Sequence, residues 1–222
     1  MKLSTFIGNL ELESCIYNAS GPRCSTLSEL TELQNSKSSV ILSKSSTLEV
    51  REGNPEPRYW DNETGSINSM GLPNKGYKYY LDCAPLLSKP YIISVNGLTL
   101  NDTIKIVSEV CINDDVAGME INLSCPNIIG KGQLAYDLEE MDNYLDNVFR
   151  AINSQSNRNL KQIVGVKLPP YFDLHWYSNI TNILKKYPEA TFLSDNEWAI
   201  HLKNFGAKTW RSTLEQQTHL LY

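Results

Sequence analysis

The chain has 222 residues, 41% hydrophobic and 20% charged, which is enough apolar surface for one large core and rules against a disordered chain. Its 20 Lys and Arg stand against 25 Asp and Glu, a net charge of −5 at pH 7, so neither a nucleic-acid backbone nor an anionic membrane is the expected partner. No run reaches the roughly 18 apolar residues of a membrane span, and the opening MKLSTFIGNLELES lacks the features of a secretory signal, so a cytoplasmic location is expected. The five cysteines include no C-x-x-C pair and the three histidines form no H-E-x-x-H motif, which predicts neither a disulfide framework nor a metal centre.

In chain order, the first expected strand is Ser14–Asn18 (SCIYN). Thr26, with Glu29 three residues on, predicts a capped helix carrying Leu27, Leu30 and Leu33. Val40–Ser43 reads as a second strand, Gly65–Asn74 as a polar loop, Tyr91–Val95 as a third strand, and residues around 101–112 as a helix with Ile104, Val107 and Val110 on its apolar face. Gly118–Leu123 is the fourth strand. Asp137 and Glu140 then open a helix whose stripe runs Leu138, Met141, Tyr144, Leu145, Val148, Phe149 and Ile152. Ile163–Leu168 is the fifth strand, followed by a helix over 174–187 and a short strand at Ala190–Leu193.

Strands that are nearly all apolar and alternate with helices predict an α/β fold with a parallel sheet buried on both faces. Asn18 to Gly21, Lys44, Ser45, Ser94, Asn122 and Lys167 fall at or just past the C-terminal ends of these strands. That is where a (β/α)8 TIM barrel gathers its active site. An open sheet usually carries a glycine-rich fingerprint, and neither G-x-G-x-x-G nor a P-loop occurs. The strand–helix units end near Pro188, and residues 189–222 are too few for three further units of roughly 30 residues. An incomplete barrel of about five units is therefore expected over 1–188, with a divergent tail over 189–222.

The segment EINLSCPN, Glu120–Asn127, carries the strongest chemical signal. A buried strand delivers Asn122 at its end, and Pro126 biases Cys125 away from helical geometry. A thiol with an ordinary pKa near 8.5 is close enough to neutral pH to act as a general base, although an isolated cysteine is more often a core residue. Lys44 and Lys167 each close an apolar strand, where an ammonium needs an anion to offset its desolvation unless it reaches back to solvent. Two such lysines at one barrel mouth point to an anionic ligand. The glycines of Gly65–Asn74 permit close backbone approach to that ligand, although a surface hairpin has the same composition.

The motifs NASG at 18–21, SKSSTLE at 43–49, REGNPEPRY at 51–59, GSINSMGLPN at 65–74, NLSCPN at 122–127, QLAYD at 133–137 and GVKLPPYFD at 165–173 resemble the dihydroorotate dehydrogenases, in particular the soluble, fumarate-reducing class 1A. The resemblance covers about residues 5–188. It implies a homodimeric, FMN-binding flavoprotein that oxidises dihydroorotate to orotate in pyrimidine synthesis and passes the electrons to fumarate. By the same resemblance Cys125 is the base that takes the proton from C5 while hydride passes from C6 to the flavin. Ala19, Ser20, Gly21, Lys44, Ser45, Asn122 and Lys167 match FMN positions. Lys44, Asn68, Met70, Gly71, Leu72, Asn122 and Asn127 match substrate positions.

After Tyr187-Pro188 the family's Asn-Ser pair and its glycine-rich phosphate loops are absent from Glu189–Tyr222. The competing expectation is therefore an inactive, truncated barrel that no longer retains FMN. A flavin-dependent tRNA dihydrouridine synthase shares the barrel, FMN and a catalytic cysteine, but the acidic balance and the GSINSMGLPN loop count against it.

Overall fold

The protein is described by a computed structural model covering residues 4–63, 65–125, 132–171, 173–195 and 199–201. Asn127 and most of the 189–222 tail lie outside the described residues.

The chain opens with an antiparallel hairpin, β1 (Thr5–Ile7) and β2 (Leu10–Leu12), turned at Gly8, whose φ of 59° suits glycine. Helix α1 (Leu27–Gln34) follows. Its capping pair is as expected: Thr26 Oγ1 accepts from Glu29 N, and Glu29 accepts from the backbone of Thr26. Next come β3 (Ile41–Leu42), the antiparallel hairpin β4 (Tyr59–Asn62) and β5 (Gly65–Asn68), and α2 (Tyr77–Cys83). The rest alternates: β6 (Tyr91–Val95), α3 (Leu100–Val110), β7 (Gly118–Asn122), α4 (Leu138–Asn153), β8 (Ile163–Leu168), α5 (Leu174–Leu184) and β9 (Ala190–Asp195), with β10 (Ala199–His201) last. Asp137 caps α4, accepting from Glu140 N.

Strands β3, β6, β7, β8 and β9 lie side by side in that order and run parallel, while β10 pairs antiparallel with β9 at one edge. Alternate residues serve different cores, as the two-residue period of a strand requires. Ile93 and Val95 of β6, Met119 and Ile121 of β7, and Val164 and Val166 of β8 join the apolar stripes of α3 and α4, among them Ile106, Val107, Leu145 and Val148. Ile92 and Ile163 point the other way and pack with Leu42, Phe192 and the hairpin residues Ile7 and Leu12. The N-terminal hairpin therefore closes the inner face of the sheet with apolar side chains, each contributing about 2 kcal/mol by burial.

One expected strand is absent. Ser14–Asn18 runs along the free edge of β3, where Ser39 N donates to Ile16 O at 2.9 Å. At Leu42, however, the side chain of Asn18 takes the place of a backbone rung. Leu42 N donates to Asn18 Oδ1 at 2.9 Å, and Asn18 Nδ2 donates to Leu42 O at 2.7 Å. With both backbone groups of Leu42 satisfied by one amide, no ladder forms there. The expected loop over 65–74 is half strand, because Gly65–Asn68 pairs with Tyr59–Asn62. Among the described residues no helix is long and apolar enough to cross a membrane.

Candidate active site

Parallel pairing fixes which side chains share the inner face. Ser94 of β6 is the register partner of Glu120 on β7, and Glu120 of Gly165 on β8; one step further along, Asn122 partners Lys167, and Lys167 partners Ser194 of β9. Paired residues project to the same side, so the apolar floor of Ile92, Ile163 and Phe192 is succeeded toward the C-terminal ends by a polar layer. Gly165 allows this stacking. A Cβ there would lie 2.0 Å from Phe192 Cζ, so the ring occupies the space that any other residue would take.

The polar layer is continuous. Ser20 Oγ lies 3.0 Å from Ser45 Oγ, which lies 2.9 Å from Ser94 Oγ. Ser94 donates to Glu120 Oε1 at 3.1 Å, and Ser194 to Glu120 Oε2 at 2.5 Å. Asn122 Nδ2 donates to Ser45 Oγ at 2.9 Å, while its Oδ1 accepts from both N and Oγ of Ser124 at 3.0 Å. Asn96 Nδ2 donates to Asn122 O at 3.1 Å.

The two lysines stand apart from this network. Lys167 is 5% exposed and Lys44 is half-buried. Neither ammonium has a hydrogen bond or ion pair among the described residues, although both lie in a setting where a charge needs a partner. Burial pushes the Lys44 ammonium below the usual lysine pKa; Cys24 and Cys125 act in the opposite sense, and the charge of Lys167 adds to the depression. Lys44 is thus close enough to feel both Lys167 and Cys125.

Cys125 differs from the other cysteines. Cys24, Cys83 and Cys111 are buried and Cys15 is exposed, whereas Cys125 is half-buried. It lines a cavity of about 700 Å³ together with Asn96, Asn122, Leu123, Gln133 and Tyr144. The nearby Cys24 thiol is held by Gly21, donating to Gly21 O at 3.1 Å, and burial pushes its pKa to about 11. It is a packing residue.

The remaining expected site residues group as follows. Ser20, Lys44, Ser45, Asn122 and Lys167 come together at the strand ends, with Ala19 and Gly21 flanking Ser20. Asn68 ends β5, and Met70, Gly71 and Leu72 sit on the segment after it, which is fastened to the stretch following Lys44. Asn74 Nδ2 donates to Thr47 Oγ1 at 2.9 Å, Thr47 N donates to Asn74 Oδ1 at 3.1 Å, and Arg51 Nε donates to Gly71 O at 2.6 Å. Gly71 and Leu72 both have positive φ, 70° and 57°. A leucine in that region stores strain of the kind found at ligand clamps. Sequence reasoning missed Glu120 and Ser194. The signal for Glu120 was its place two residues before Asn122, which puts a carboxylate on the same face of an otherwise apolar strand.

Comparison with known proteins identifies the family and the fold. The family model for dihydroorotate dehydrogenase matches residues 2–201. A protein of Streptococcus pyogenes serotype M18, provisionally named dihydroorotate dehydrogenase A (fumarate), is 43% identical over 190 residues, which are 83% of this chain and 58% of that one. A protein of the same provisional name from Streptococcus agalactiae serotype V is 42% identical over 195 residues, 86% of this chain and 60% of that one. The crystal structure of an Eimeria tenella dihydroorotate dehydrogenase in complex with ferulenol superposes with a TM-score of 0.69 at 15% identity, covering 86% of this chain and 58% of that one. That likeness shows the fold, a (β/α)8 barrel of which the described sheet forms part. The chain spans about three fifths of the length of the curated relatives it matches.

Proposed function

The chain belongs to the dihydroorotate dehydrogenase family, and from that membership we propose that its site oxidises dihydroorotate to orotate with FMN as the bound cofactor and fumarate as the final electron acceptor. The observation that carries this reading is the pair of ammonium groups at the strand ends, buried Lys167 and half-buried Lys44, without an anionic partner among the described residues, with Lys44 within electrostatic reach of Lys167 and of the half-buried Cys125. The residues fit a flavin. Two cations, the hydroxyls of Ser20 and Ser45 and the amide of Asn122 offer charge and polar contacts to an electron-rich ring, and Ala19 and Gly21 leave room beside it.

FMN, when bound, supplies the two-electron acceptor that a protein side chain cannot. Cys125, half-buried at the end of the loop that follows β7, then removes the C5 proton of dihydroorotate. Lys167 holds negative charge at the cofactor, and Lys44 holds both cofactor and substrate. Asn68, Asn122 and Asn127 bind the substrate ring, while the backbone of Met70, Gly71 and Leu72 receives its carboxylate. The names of the streptococcal relatives support fumarate as acceptor, and the motif resemblance supports a cytoplasmic homodimer acting in pyrimidine synthesis.

The test is a titration of the purified chain with FMN, followed by orotate, monitored by flavin fluorescence and absorbance. Saturable FMN binding and an orotate-dependent shift of the flavin spectrum are expected, with reoxidation of the reduced flavin by fumarate and not by NAD. Absence of FMN binding would overturn the reading.

A further inference from the structure

The hydroxyl chain on the inner face has a direction, and one residue sets it. Ser124 N is an obligate donor, so the Asn122 atom facing it is the carbonyl oxygen, and Nδ2 donates to Ser45. Both oxygens of Glu120 meet hydroxyls, Ser94 Oγ at 3.1 Å and Ser194 Oγ at 2.5 Å, and an ionised carboxylate can only accept. If Ser94 gives its one hydrogen to Glu120, it accepts from Ser45. Ser45 in turn accepts from Asn122 and from Ser20. Every hydroxyl then points inward. Half-buried Ser20, at the outer end of the chain, is left with lone pairs alone to offer a ligand.

We propose that Glu120 is an ionised positioning residue whose charge orients Ser94, Ser45 and Ser20 in series, so that the mouth of the site presents an acceptor at Ser20 for a ligand N–H. The inference extends the flavin reading above and depends on it for the identity of the ligand. Glu120 is 1% exposed. Its register partner Gly165 lies two residues before Lys167 on the same face, so a cation stands on the adjacent strand. Neutral Glu120 or a glutamine could donate to Ser94 and reverse the whole chain, turning Ser20 outward as a donor.

FMN affinity of the full chain, measured by fluorescence quenching, is compared for wild type, Glu120→Gln, Ser94→Ala and the double variant. The loss of one correctly oriented hydrogen bond predicts that Glu120→Gln weakens FMN about ten-fold, whereas in the Ser94→Ala background the same change has less than about a two-fold effect because the chain is already cut. Removal of a negative charge acting through space strengthens an anionic ligand instead, so a gain in affinity overturns the proposal. An equal loss in both backgrounds also overturns it. A second arm needs no ligand and tests Glu120 even if wild type fails to bind FMN, an outcome that would refute the flavin reading. In the infrared difference spectrum between wild type and Glu120→Gln, loss of an ionised carboxylate band supports the proposal, and loss of a protonated acid band overturns it.

Discussion

Asn122 and Lys167 are register partners on the adjacent parallel strands β7 and β8, so a neutral amide and a cation leave the same face of the sheet at the same height. The amide is fixed by Ser124 and Ser45. The ammonium has no such tether among the described residues. One site therefore combines a rigid hydrogen-bonding group with a charge in search of a partner, which is how a site prepared for an anionic ligand differs from a packed core.

That Lys44 has no hydrogen bond or ion pair among the described residues sets function against stability. Lys44→Met keeps the apolar stem and removes a poorly solvated charge, so the ligand-free chain should gain about 1 kcal/mol, roughly 2–4 °C in melting temperature, while FMN and orotate binding weaken. The pH dependence has a definite sign. Because burial lowers the folded-state pKa of Lys44 below its unfolded value, the charged form is penalised in the fold. That penalty is complete below the folded pKa and is relieved as pH rises toward the unfolded lysine value. The advantage of Lys44→Met should therefore shrink with rising pH in thermal melts; an advantage that grows with pH contradicts the assignment.

The two lysines should serve different partners. Lys167→Ala is expected to weaken FMN and lower its reduction potential, whereas Lys44→Ala weakens both FMN and orotate. Separate titrations of the two ligands distinguish these patterns. If neither variant affects either ligand, the lysines are solvent-reaching side chains with no role in binding.

Much of the barrel was legible in the sequence because its strands are bounded by caps and turns and its helices carry clear apolar stripes. Thr26–Glu29 and Asp137 placed two helix starts to the residue. Lys44, Asn122 and Lys167 could be read as site residues because a polar group ending an apolar strand is conspicuous. Ser14–Asn18 misled because its apolar pattern suits a strand, whereas the Asn18 amide replaces the rung a strand would form. The hairpin over Thr5–Leu12 left little local signal, since its purpose is tertiary: Ile7 and Leu12 plug the inner face against Ile92 and Phe192. Glu120 was hidden for a related reason, since its partners Ser94 and Ser194 come from strands far apart in sequence.

The same tertiary logic makes Gly165 intolerant of a side chain. A Cβ would lie 2.0 Å from Phe192 Cζ and 2.2 Å from Cε2, so Gly165→Ala should cost about 1–3 kcal/mol by forcing the ring from its place. Denaturant titration measures the loss. Phe192→Leu in the same chain should recover part of it, and purely additive losses would contradict the contact.

The most direct test of the site is anaerobic mixing of FMN-loaded protein with dihydroorotate, following flavin absorbance in a single turnover. Wild type should bleach. Cys125→Ser should retain orotate binding, because Asn68 and Asn122 remain, yet bleach far more slowly at neutral pH, since a hydroxyl is a much weaker acid than a thiol and is hardly ionised there. Equal bleaching rates in the two proteins would show that the proton leaves by another route and that Cys125 is not the base.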